Sequence, residues 1–126
     1  MSWDIVLFNS RQKIKSIEAI NEDQLLPTDF CNAFESHFIH IIKDKNHREI
    51  IGNDFSVDYF TEDEPVSNKM ISLYGENALY ELIFLAKKYG WQIYDSGIDQ
   101  MIDLDNPSFN GYDNFQNYLS QILKQK

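Results

Sequence analysis

The chain alternates between two hydrophobic periods, and the order in which they come suggests an architecture. Residues 3–8, "WDIVLF", place Trp3, Ile5 and Leu7 on one face of an extended segment and Val6 and Phe8 on the other. Apolar groups on both faces mark a central strand, and Asn9 and Ser10 end it. Residues 11–26 carry only a weak repeat at Ile14, Ile17 and Ile20 and read as a long irregular connection. After Pro27 the period changes. Thr28 and Asp29 offer helix-start chemistry, and Phe30, Phe34, Phe38 and Ile41, flanked by Cys31 and Ile42, form the stripe of a helix over 28–43.

Period two returns in residues 55–60, "FSVDYF", with Phe55, Val57 and Tyr59 on one face and Ser56 and Asp58 on the other. A polar loop containing Pro65 leads into a further strand over 69–74, so the two read as an antiparallel pair. The strongest helical repeat covers 76–89, where Ala78, Leu79, Leu82, Ile83, Leu85, Ala86 and Tyr89 share a face. Lys87 and Lys88 complement its last turn and Gly90 is placed to end it in the left-handed conformation. "WQIYD" then alternates as a strand over 91–95, and Phe115, Tyr118, Leu119 and Ile122 give a thin helical stripe near the C-terminus. This order predicts one α+β domain of ferredoxin-like βαββαβ type: a four-stranded antiparallel sheet, two helices on one face, and a C-terminal helical extension over about 107–126. A length of 126 residues supports a single core.

Charge changes the picture of partners. Twenty acidic against eleven basic side chains give a formal net charge of −9, which disfavours nucleic acid and anionic membrane surfaces and suits a basic protein partner. The aromatic strands also lack the interleaved basic residues of an RNA-stacking platform. Cys31 is the one cysteine, so an intrachain disulfide and a multi-thiolate zinc site are both excluded. With no apolar run of the roughly 20 residues that span a bilayer, and no signal-type N-terminus, a cytoplasmic location is expected.

Candidate chemistry is sparse. His37 and His40, at i and i+3 with Glu35 nearby, have metal-ligand character but need further ligands that the sequence does not identify. Asp95, Asp99, Asp103 and Asp105 could collect a hard cation, yet "DSGIDQMIDLDN" does not match the calcium-loop pattern. Cys31, among phenylalanines, reads as an inert small hydrophobe. No phosphate loop, nucleophile elbow or paired metal motif is present, so the chain is expected to be neither an enzyme nor a cofactor or metal protein. Glu62, Asp63 and Glu64, at the tip of a polar loop, are the expected contacts to basic groups of a partner. Tyr80 and Phe84 point away from the main stripe of their helix and form an apolar patch to be covered by the C-terminal helix or by a second copy of the chain in a homodimer.

At "SWDIVLF" and "LAKKYGWQIYDSG" the chain resembles a loose group of small, mostly uncharacterised bacterial proteins that open on an aromatic-acidic-apolar strand and later carry helix, Gly, alternating strand and Tyr-Asp. Some of these are similar to immunity-type proteins that neutralise toxins of neighbouring cells. The resemblance covers residues 3–8 and roughly 78–97, and it departs at Ser96 and Gly97, where the group often has Pro-Gln. It implies a cytosolic, acidic, non-catalytic binder and carries over no functional residue. The expected function is therefore a non-catalytic interaction domain for a basic protein, immunity-like binding being one version. The alternative is a small-ligand or metal-binding regulatory domain using His37, His40 or the tail aspartates.

Overall fold

The central-strand reading of the first segment is realised in full. In a computed structural model of the chain, which describes residues 2–61 and 64–112, β1 (Ser2–Asn9) lies between β5 (Asn68–Tyr74) and β6 (Trp91–Asp95), antiparallel to both. Beyond β5 come β4 (Phe55–Phe60), β3 (His47–Gly52) and β2 (Ile41–Asp44), and beyond β6 the two-residue β7 (Gln100–Met101). The result is a seven-stranded sheet in the order β2-β3-β4-β5-β1-β6-β7, antiparallel throughout. Two α-helices, α1 (Phe30–His37) and α2 (Glu76–Tyr89), accompany it among the described residues.

This corrects the four-stranded ferredoxin-like expectation. The helix expected over 28–43 stops at His37, and Phe38 is already extended at φ −93° and ψ 141°. The β-branched Ile39, Ile41 and Ile42 favour strand over helix, and once extended, Ile41 pairs with Ile50 and Ile42 with Glu49. The chain reverses through Lys45, which takes a left-handed φ of 57°, and "HREIIG" returns as β3. What looked like the tail of a helix and its exit is a hairpin. In the expected C-terminal extension, Pro107–Asn110 forms a 3-10 turn, and residues 113–126 lie outside the described residues.

Alternation along the strands divides the sheet into two unlike faces. Ile5 and Leu7, Val57 and Tyr59, Ile71 and Leu73, and Trp91 and Ile93 are all buried in one core with α1 and α2. Phe30 and Phe34 of α1 meet Trp91 at ring-centroid distances of 4.8 and 5.9 Å, and Phe34 meets Tyr59 at 4.9 Å. From α2, Ala78, Leu79, Leu82, Ile83, Leu85 and Ala86 close the same core. Each Leu or Ile so buried contributes on the order of 1.5–3 kcal/mol.

The opposite face is covered only in part. Residues 10–25 run back beside the end of β1, joined by a Ser10–Leu25 bridge and by the Leu26 N–H donating to the Asn9 carbonyl at 2.8 Å. Within this strap Ile14 is buried, its N–H donating to the Gln92 side chain at 2.7 Å, and Gln92 is the β6 partner of the buried Phe8. Over the half of the face formed by β2 to β5, no element packs among the described residues, and that half is called the bare face below.

Candidate functional site

The acidic loop does not present Glu64 outward. Thr28 and Val66 exchange backbone hydrogen bonds of 2.9 and 3.0 Å, which pulls the descending limb of the loop onto the start of α1. Glu64 turns inward, its side chain only 9% exposed, and its Oε1 accepts from Cys31 Sγ at 3.0 Å and stands 3.4 Å from Lys69 Nζ. Lys69 is itself buried, its side chain 1% exposed, because it occupies the β5 phase of Ile71 and Leu73 and pairs with Leu7. Glu64 is thus part of a buried charge pair and not a surface contact; Glu62 and Asp63 lie outside the described residues.

Burial, and then the hydrogen bond to Glu64, pushes the Cys31 thiol up to about 12, far from the reactive thiolate range. Asp29, Cys31 and Glu64 do bring one donor atom each within 4.8 Å of one another. Their valences are spoken for, however: Asp29 caps α1 by accepting from the Asn32 N–H at 2.9 Å, and the Lys69 ammonium is already the cation beside Glu64.

The other anticipated residues disperse. Because α1 ends at His37, His40 leaves the helix and the i, i+3 geometry is lost. His37 Nε2 stands 3.4 Å from Glu81, and Glu35 pairs with Lys43 at 2.7 Å. The tail aspartates are each used locally. Asp95 accepts from the Tyr112 hydroxyl and the Gly97 N–H, Asp99 from the Tyr94 hydroxyl, Asp103 from the N–H groups of Asp105 and Asn106, and Asp105 pairs with Lys87. Tyr80 is buried in the core, its hydroxyl donating to Glu76, and Phe84 is half-buried, so the two rings make no exposed patch. The docking expected of Phe115, Tyr118, Leu119 and Ile122 lies outside the described residues. A cleft of about 570 Å³ between the strap and the 101–109 loop mixes Arg11, Lys13 and Lys15 with Asp103 and Asp105.

The bare face of the sheet has a more definite character. Register places Glu49 opposite Asp58, Asp58 opposite Ser72, and Ser72 opposite Asp4, a row crossing β3, β4, β5 and β1 over about 14 Å at the usual strand spacing. Glu49 and Asp58 are like charges directly opposed, an arrangement that costs a sheet stability. Ser72 donates to Asp4 Oδ1 at 2.7 Å, while Asp58 Oδ1 is buried with no hydrogen-bond partner among the described residues, the His47 ring nitrogen standing 3.6 Å away. Apolar side chains flank the row on both sides: Phe60 and Met70, 55% and 62% exposed, on one, and Ile51 and Tyr74 on the other. His47 packs against Phe60 with ring centroids 5.1 Å apart. The alternation that produces this face is visible in the sequence, but its polar phase becomes a continuous row only through strand register. The usable signal was Met70 and Phe60 in phase with Asp58 and Ser72.

No known protein family matches the chain, and neither a curated protein nor a solved structure matches it. Among the described residues no helix is long and apolar enough to cross a membrane.

Proposed function

We propose that the protein is a non-catalytic interaction domain that binds a basic protein partner on the bare half of its sheet. Support comes chiefly from the Glu49–Asp58–Ser72–Asp4 row, where opposed carboxylates, and at Asp58 a buried oxygen that accepts no hydrogen bond among the described residues, lie between exposed Phe60 and Met70 on one side and Ile51 and Tyr74 on the other. A free surface gains nothing from opposed carboxylates beside exposed rings. A partner that brings Lys or Arg onto the row and apolar groups onto its flanks relieves both. The formal net charge of −9 adds long-range attraction to such a partner. Neutralisation of a basic toxin is one form this binding would take.

The experiment compares the wild-type chain with Phe60→Ala and Asp58→Asn as baits in a native extract, with Lys87→Ala as a control on α2. A basic protein should be retained stoichiometrically by wild type and control and weakened by added salt. Phe60 exposes over half its surface, so its burial by a partner is worth about 1–1.5 kcal/mol and its loss should weaken binding roughly five- to tenfold. Equal retention by all four baits, or a partner without basic character, would remove the proposal.

A further inference from the structure

At one end of the sheet, on the side of the helices, a pocket of about 350 Å³ is lined by Trp3, Glu76, Asp95, Gly97, Ile98 and Tyr112. The topology assembles it from four places. Trp3 and Ile5 share the helix-side phase of β1, and Ile5 pairs with Asp95, so Trp3 lies one step further along the same edge. Glu76 opens α2, where a carboxylate suits the positive end of the helix, and the Tyr80 hydroxyl donates to it from one turn on. Tyr112 reaches back so that its hydroxyl donates to Asp95 Oδ2, and the Gly97 N–H donates to Asp95 Oδ1 at 2.9 Å.

Two properties set this pocket apart from the other clefts. Its negative charge is uncompensated: Asp95 is 1% exposed, and among the described residues no ion pair reaches either Asp95 or Glu76. Burial raises the Tyr112 phenol most, followed by its hydrogen bond to Asp95 and by the charges of Asp95 and Glu76, so both carboxylates act at that hydroxyl. Its walls, by contrast, are mostly carbon, from the indole of Trp3, the ring of Tyr112 and the half-exposed Ile98.

We propose that this pocket binds a quaternary alkylammonium group, held by the Trp3 and Tyr112 rings with the charges of Asp95 and Glu76 behind them. Aromatic faces over fixed negative charge attract cations, and most strongly a cation that is easily desolvated. A primary ammonium is a compact, strongly hydrated charge whose water shell the carbon walls would not replace, and Asp95, the more buried of the two carboxylates, already accepts from Tyr112 and Gly97. A trimethylammonium group has no donors to satisfy, and its methyl groups suit the carbon walls. The same head group occurs in free choline-type molecules and in trimethylated lysine side chains. The pocket lies on the opposite side of the sheet from the bare face, so binding here is independent of the interaction proposed above.

The test titrates the full chain with choline, with a trimethyllysine peptide, and with 3,3-dimethylbutanol, the uncharged analogue of choline. The indole N–H of Trp3, which has no hydrogen-bond partner among the described residues, is the NMR reporter, and that of Trp91 is the internal control. Saturable movement of the Trp3 signal by choline or the peptide, with the neutral analogue at least tenfold weaker, is expected, and the tighter of the two cations names the source. Glu76→Gln, which keeps a group able to accept from Tyr80, should weaken binding several-fold while leaving the spectrum that of a folded protein. Binding of the neutral analogue as tightly as choline, or no saturable shift from either cation, would overturn the assignment.

Discussion

Replacing Lys69 by Met isolates the electrostatics of the buried pair from its packing. Methionine matches the lysine stem in length and flexibility and fills the same space between Leu7 and the α1 side of the core, so little apolar contact is lost. What disappears is the ammonium 3.4 Å from Glu64 Oε1, leaving a carboxylate whose side chain is 9% exposed and whose Oε2 is buried without a hydrogen-bond partner among the described residues. Breaking one side of a buried pair costs about 3–5 kcal/mol, a large part of the total stability of a domain this size. At roughly 3–5 °C per kcal/mol the melting temperature should fall by about 10–20 °C. Urea unfolding at neutral pH measures the loss directly. Adding Glu64→Gln to Lys69→Met should recover at least half of it by removing the stranded charge. A single-variant loss below about 1 kcal/mol, or a double variant no more stable than the single, would show that the pair is not the electrostatic unit described.

Gly75 joins β5 to α2 at φ +93°, and a Cβ there would come within 2.8 Å of the Asp54 backbone oxygen, so Gly75→Ala should cost about 1–3 kcal/mol in denaturant unfolding, with a loss under 0.5 kcal/mol counting against the strain. Alkaline stability should fall early. Cys31 is pushed up to about 12, by burial first and then by its bond to Glu64, and Tyr59 and Tyr112 are raised chiefly by burial. Groups that keep their protons longer when folded contribute fully below the unfolded value, near 9.0 for the thiol, and that contribution is lost as pH rises through the folded value. Urea midpoints should therefore decline from about pH 9 upward, less steeply in Cys31→Ala; parallel profiles for the two proteins would refute the assignment to Cys31.

Strong periodicity made the elements at 3–8, 55–60, 69–74, 76–89 and 91–95 legible, because each buries one regular face against its neighbours. The hairpin of β2 and β3 was not, since Phe38 and Ile41 satisfy a helical spacing, and the choice is made by pairing with residues 47–52 through a turn at Lys45 and Asn46 that lacks the Asn-Gly or Asp-Gly signal of a two-residue hairpin. The same limit applies to the sites. Glu62, Asp63 and Glu64 looked equally exposed in the chain, but the Thr28–Val66 bridge and the buried Lys69 decide that Glu64 points inward. The acidic row on the bare face exists only through register across β3, β4, β5 and β1, and the ring-walled pocket joins residues as far apart as Trp3 and Tyr112.

The place of β1 has a bearing on how the protein comes into being on the ribosome. Its two neighbours, β5 and β6, lie far downstream of it in the chain, so β1 has no edge to join until residues 68–74 have emerged and stays open on its other edge until residues 91–95 follow. The antiparallel run from β2 to β5 can form by successive local reversals during synthesis, whereas β1, with apolar side chains on both faces, must wait exposed. The nascent chain therefore carries an apolar, unpaired segment until residues 68–95 are made, and chaperone engagement at "WDIVLF" followed by release once β6 is out is the expected course of its biogenesis.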